Sequence, residues 1–257
     1  MLISRFSAFT LFLLMTLGCF ASATLQAAEE SGDQFRIETD VYVGDEQEPV
    51  SRSVTIFEKE AVYDFSGKPA EVVVYRNATK SHPGEFILLN SEKQQRTDVP
   101  LEDITPLMKK LAKWASEQND PVMQFSANPA FQEGFSKDTG KLSMRSPQWS
   151  YEVLTTNVEN PAALARYREF TDWYARLNCM LHQTPPPGPR LLLNEQFVKH
   201  QVVPEQISRR IAGQDVEIHA KHLFSWRLSR EDQARLTEAR QQLASYKKVE
   251  TEEFFRR

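Results

Sequence analysis

Hydrophobic and polar positions follow a period of two through the first third of the chain. In 35–43, Phe35, Ile37, Thr39, Val41 and Val43 fall on one side and Arg36, Glu38 and Asp40 on the other, the mark of a half-buried strand. Four runs follow, at 53–58, 61–65, 71–76 and 85–90, each β-branched or aromatic and each bounded by Gly, Pro, Asn, Asp or Ser. Such spacing predicts an antiparallel meander over 51–97, around which the rest of the chain is organised. Ser66-Gly67-Lys68-Pro69 predicts a turn, 77–84 a longer polar hairpin loop, and 94–97 a polar exit from the last strand.

The period then lengthens. Leu101, Ile104, Leu107, Met108, Leu111, Trp114 and Ala115 recur at spacings of three and four, which predicts an amphipathic helix opening at Asp98 or Pro100. Lys109, Lys110 and Lys113 fall on its solvent side, and Asn119-Asp120-Pro121 stops it. In the stretch 124–140, which has no clear period, Asn128-Pro129-Ala130-Phe131 suggests a short helical turn and 138–140 a hairpin turn. Strands are predicted at 141–144 and 149–155. Asn160 as N-cap and Pro161 at the first position open a second helix, whose stripe is Leu164, Tyr167, Phe170, Trp173, Tyr174, Leu177 and Leu181. It ends at 184–189, Thr-Pro-Pro-Pro-Gly-Pro, a stiff connector, with a short helix predicted at 190–193. From 216 to 228 the even positions are Val216, Ile218, Ala220, His222, Phe224, Trp226 and Leu228, which predicts one long strand with one apolar face. Ser229 and Asp232 form a capping-box pattern before a last helix with Leu236, Ala239, Leu243 and Tyr246 as its stripe.

These elements predict an α+β fold: a large curved antiparallel sheet, half-barrel-like, covered by two or three amphipathic helices. Residues 29–249 form its single domain, and 250–257 a charged, frayed tail. The leader changes the picture of where the protein acts. Arg5, the uncharged apolar run 6–20 and Ala21-Ser22-Ala23 form a secretory signal pattern over 1–28, with cleavage after Ala23 or near Ala28. The apolar run is shorter than the ~20 residues that span a bilayer. The expectation is therefore an exported protein, periplasmic or extracellular, without a transmembrane segment in the mature chain. Lipidation at Cys19, after Leu17-Gly18, is the alternative.

Charge and composition narrow the chemistry. Loss of Arg5 with the leader takes the net charge from −4 to −5, which argues against nucleic acid as a partner. Cys179 is then the lone cysteine, so no internal disulfide forms. Nine glycines leave little room for phosphate-cradling loops, and no nucleophile elbow, dinucleotide fingerprint or His-Glu-x-x-His motif occurs. No cofactor or metal is implied. Cys179 and His182 stand three apart on a helix, but no third group orients them. His219 and His222 are three apart on a predicted strand, so they point to opposite faces and do not share a metal. His222 interrupts the apolar face between Ala220 and Phe224, as a core or cavity-lining histidine would.

Segments 41–46, 61–65, 86–90 and 167–178 (Tyr-Arg-Glu-Phe-Thr-Asp-Trp-Tyr-Ala-Arg-Leu-Asn) resemble those of uncharacterised exported proteins of planctomycete-type bacteria. That family implies export and no particular activity. More distantly, the order of elements resembles the half-barrel lipoprotein carriers of the LolA and LppX kind. There a curved antiparallel sheet cradles acyl chains and helices plug its concave side. No residue role carries over from either resemblance.

The first functional reading is accordingly a non-enzymatic protein that binds a lipid or other apolar small molecule on the concave face of its sheet. The expected lining is Phe86, Leu88, Ile218, His222, Phe224 and Trp226 from strands, with Trp114 or Trp173 from helices. The same residues are equally suited to packing on the helices with no void. The second reading is a structural or assembly component of the cell envelope acting through protein contacts. The third is a hydrolase with scattered catalytic groups.

Overall fold

The computed structural model describes residues 34–67, 71–80 and 82–256. The leader 1–28, Cys19, the two cleavage positions and Lys68-Pro69 of the predicted turn lie outside the described residues. Twelve strands form one open sheet: β1 (Phe35–Val43), β2 (Ser51–Phe57), β3 (Ala61–Ser66), β4 (Glu71–Arg76), β5 (Glu85–Asn90), β6 (Gln95–Pro100), β7 (Gln132–Ser136), β8 (Lys141–Arg145), β9 (Trp149–Asn157), β10 (Val202–Ile211), β11 (Ile218–Ser225) and β12 (Lys247–Lys248). Their spatial order is β12-β6-β5-β4-β3-β2-β1-β11-β10-β9-β8-β7. Every neighbouring pair is antiparallel except β12, which runs parallel to β6. The predicted meander is thus one half of a larger sheet, and β1 joins it to the C-terminal half by pairing with β11.

Six helices pack on the sheet, more than the two or three expected: α1 (Leu101–Ser116), α2 (Pro121–Ala127), α3 (Pro161–His182), α4 (Gly188–His200), α5 (Arg230–Ser245) and α6 (Thr251–Phe255). Strand alternation sorts their partners. Phe57, Val62, Tyr75, Phe86 and Leu88 point to the inner face, where they meet α1, α3 and α4. Ile56, Tyr63, Val74, Ile87 and Leu89 point to the outer face and are covered by Leu236 and Ala239 of α5. The meander is therefore hydrophobic on both sides, which explains why its runs are nearly continuous rather than alternating.

The inner core is aromatic. Phe35 stacks on Phe57 with centroids 4.1 Å apart, and Phe57 meets the edge of Phe170 at 5.5 Å. Each such pair contributes about 0.5–1.5 kcal/mol beyond area burial. Buried hydroxyls fasten α3 to the sheet: Tyr75 donates to Glu169 Oε1 at 3.0 Å and Tyr174 to Asp64 Oδ2 at 2.7 Å. Thr55 donates to Asp64 Oδ1 at 2.6 Å. Burial pushes the Asp64 carboxyl up while these hydrogen bonds pull it down. On the outer face the predicted capping box of Ser229 and Asp232 forms. Asp232 also holds Arg36 of β1 at 3.4 Å, and Arg240 holds Glu58 at 2.6 Å, which fixes the lie of α5.

The structure differs from the expected elements at six places. Residues 94–97 are no exit: the chain turns at Gln94 (φ 51) and returns as β6, whose buried Thr97 and Val99 alternate with polar Arg96 and Asp98. β10 has no counterpart in the expected elements. Its register shifts between Pro204 and Gln206, a bulge that accommodates a proline inside the sheet and breaks the alternation. The helix expected at 190–193 extends to His200, and the helical turn expected at 128–131 lies earlier, as α2. The long strand expected at 216–228 is shorter, ending at Ser225. The tail is not frayed, since Val249 and Phe254 are buried in the inner core and β12 pairs with β6.

Candidate functional site

The inner face is not covered evenly. Where α3 gives way to the proline connector, a half-open cavity of about 490 Å³ remains between sheet and helices. Its floor is made by the inward positions of four adjacent strands: Thr39 and Val41 of β1, Ile218, Ala220 and His222 of β11, Ile207, Arg209 and Ile211 of β10, and Trp149 and Tyr151 of β9. Register brings these side chains into rows. Thr39 pairs with His222 and Val41 with Ala220, and Arg209 lies between Ile218 on one side and Tyr151 on the other. The roof is Thr171, Tyr174, Ala175 and Asn178 of α3, the connector 184–187, and Pro189 and Arg190 at the start of α4.

The local sequence makes this roof. Asn160 caps α3 through bonds to the Ala162 and Ala163 amides. Gln183, in the left-handed conformation, ends it. The prolines cannot continue a helix and arch over the β9–β11 end of the sheet. Gly188 then passes so close to α2 that a Cβ there would sit 2.4 Å from the Ser126 carbonyl oxygen. Only glycine fits this crossing.

Polar side chains are interspersed with the apolar lining, among them Thr39, Asn178, Arg190, Arg209, Gln214 and His222. His222 Nδ1 lies 3.0 Å from Thr39 Oγ1, and its buried Nε2 has no partner among the described residues. Burial, reinforced by the Arg190 charge, lowers its pKa to about 3, so it is neutral at ordinary pH. Arg190 donates from Nε to Asn194 Oδ1 at 3.0 Å, and Asn194 donates to Asp172 at 2.8 Å. Arg190 also hydrogen-bonds the buried Tyr167 hydroxyl. The Arg209 guanidinium lies 5.8 Å from the Trp149 ring centre. Burial pushes the Tyr151 phenol up, opposed by the Arg190 and Arg209 charges.

Of the eight residues expected to line a ligand site, Ile218 and His222 do so. Phe86 and Leu88 are instead sealed in the core, because the α3 aromatics fill the space above them. Phe224 packs against Tyr167 with centroids 5.7 Å apart, and Trp226 lies beyond β11, tilted against Phe35. Trp173 is half-buried beneath the Arg176 guanidinium. Trp114 is 48% exposed, and Leu107 of the same predicted stripe is exposed too. Leu101, Ile104 and Ala115 alone bury α1 deeply, so its apolar stripe is narrower than its spacing suggests.

Arg190, Arg209, Trp149, Tyr151 and Tyr174 line the cavity without having been singled out. Arg209 was findable: it sits between Ile207 and Ile211 at alternate positions, a charge on an otherwise apolar strand face. Cys179 offers no nucleophile. Its buried thiol donates to the Thr184 and Pro185 carbonyls, and burial raises its pKa. His219 stacks on Tyr42, on the face opposite His222. Among the described residues no cluster of three or more His, Cys, Asp or Glu side chains is placed to hold a metal ion, and no helix is long and apolar enough to cross a membrane. Compared with family models and with curated proteins, the chain matches none.

Proposed function

We propose that this protein is an exported carrier or binding protein that holds a small apolar ligand between β1, β9–β11 and the proline connector. The observation that carries the reading is the half-open cavity of about 490 Å³, lined mostly by aliphatic, proline and aromatic side chains. Its size falls within the range of ~300–1,000 Å³ usual for small-molecule sites. The leader pattern at 1–28 supports export, and the resemblance in element order to half-barrel lipoprotein carriers supports a role in lipid handling. Native mass spectrometry of protein purified from its own host tests this: bound mass of lipid size is expected. A protein that carries no such mass and ignores fluorescent fatty-acid probes would sink the proposal.

The envelope-assembly reading has one observation of its own. Leu107 and Trp114 are exposed on the same helix as Lys109, Lys110 and Lys113. Cross-linking from a photoreactive group at position 114 to one envelope protein would favour it. Cross-links scattered over many proteins would count against it.

A further inference from the structure

Among the described residues two arginines line the cavity, and no aspartate or glutamate does. Arg190 comes from the helix layer and Arg209 from the sheet, and both charges reach the buried Tyr151 hydroxyl. Neighbouring arginines are neutralised: Arg168 by Asp172 at 3.6 Å and Arg210 by Glu217 at 2.7 Å. Arg190 and Arg209 make no ion pair among the described residues; their partners are an amide, phenols and a ring face. A half-buried guanidinium without a counter-ion carries a desolvation cost that an added anion relieves.

The start of α4 adds to the same field. Its N-cap, Pro187, supplies no side-chain acceptor, and Pro187, Pro189 and Arg190 all face the cavity. The positive end of the helix dipole sits beside a cation, an arrangement unfavourable for the protein alone and favourable once an anion is present. Beside the arginines the floor carries an aliphatic strip, Val41, Ala220, Ile207 and Ile218, bordered by Thr39 and His222. At ~30 Å³ per water-sized group, the cavity accepts about sixteen such groups. That is room for one hydrocarbon chain with a compact head.

Building on the cavity as an apolar-ligand site, we infer that its ligand is a single-chain amphiphile with an anionic head, a carboxylate or phosphate, held between Arg190 and Arg209. Guanidinium forks match both heads, and the shared chemistry is a compact anion with two or more acceptor oxygens. The chain then lies over Val41, Ala220 and Ile218.

Titration calorimetry with four probes of one chain length, all below their micellar concentrations, tests this: dodecanoate, dodecyl phosphate, dodecanol and dodecyltrimethylammonium. One or both anions are expected to bind about tenfold or more tighter than dodecanol, and the ammonium most weakly. Which anion binds tighter identifies the head. Arg209→Gln is expected to weaken the anions about tenfold and leave dodecanol unchanged. Arg190→Gln is expected to do the same, but Arg190 also holds Asn194 and Tyr167. Should that variant fail to fold, Arg209→Gln and the probe series decide. Dodecanol binding as tightly as the anions, with no effect of Arg209→Gln, overturns the anionic head and leaves the apolar cavity standing. Failure of all four probes to bind overturns both.

Discussion

Across β2–β5 the helix-bearing face carries Phe57, Tyr75, Phe86 and Leu88 beneath Phe170 and Tyr174, while α5 seals the opposite face. Across β9–β11 and the far end of β1 the same face carries Thr39, Val41, Ala220 and Ile218 beneath a proline arch and stays open. There the opposite face meets solvent, with Leu223 64% exposed. Both halves use antiparallel strands, six or seven residues long in β2–β5 and eight to ten in β9–β11, so pairing direction does not decide where a void forms. The cover does. Large aromatics from strand and helix interdigitate over β2–β5, whereas over β9–β11 a floor of mixed size, from Ala220 to Trp149, meets a roof of prolines too stiff to collapse onto it.

The largest expected effect breaks the filled half. Phe170→Ala removes a ring packed on Phe57, Tyr75 and Tyr174, and a loss of about 3–5 kcal/mol is expected in denaturant unfolding. A loss under ~1 kcal/mol would mean that the α3 aromatics are not core.

Next comes acid sensitivity in the open half. The His222 pKa is about 3 in the folded protein against roughly 6.5 unfolded. As pH falls through this window the unfolded chain takes the proton and the folded state does not, so stability is lost on acidification. At about pH 4.5 the contribution is about 2–3 kcal/mol. His222→Gln should lose correspondingly less stability than the parent between pH 7 and pH 4.5, and equal losses would refute the assignment.

Gly188→Ala sharpens the origin of the arch. Its methyl would press on the Ser126 carbonyl, and a cost of about 1–3 kcal/mol is expected. A neutral result would show that the connector shifts freely. The smallest effect belongs to Ile218→Ala. Ile218 lines the void and is only half-buried, so a loss under ~1 kcal/mol is expected, well below core values. A loss above ~2 kcal/mol would mean that the cavity is filled in solution.

Much of the fold was legible because its signals are local. The meander, the Asn160 cap, the Ser229 box and the even face of β11 each follow from residues within a few positions of one another. What was missed depends on distant partners. β10 hides its period behind the Pro204 bulge, and β6 reads as polar until Thr97 and Val99 are seen against α6 and the core. The candidate site was legible in two residues. Ile218 and His222 lie on the correctly read face of β11, but whether an inward residue meets an aromatic or a void is set by where α3 ends. Arg190 looks like an ordinary surface charge until the connector folds over the sheet, and Arg209 stands out only once 202–211 is read as a strand.

The pairing of β1 with β11 carries a consequence for the order of events in the cell. Thr39 and His222 face each other across a sequence separation of 183 residues. Closing so long a loop is slow compared with zipping a meander. Strands β2–β6 can assemble early from near neighbours, but the cavity floor does not exist until β10 and β11 have arrived. The cavity therefore forms only after β11 has been made, and a chain terminated before Ile218 keeps the meander but lacks the middle of the cavity floor.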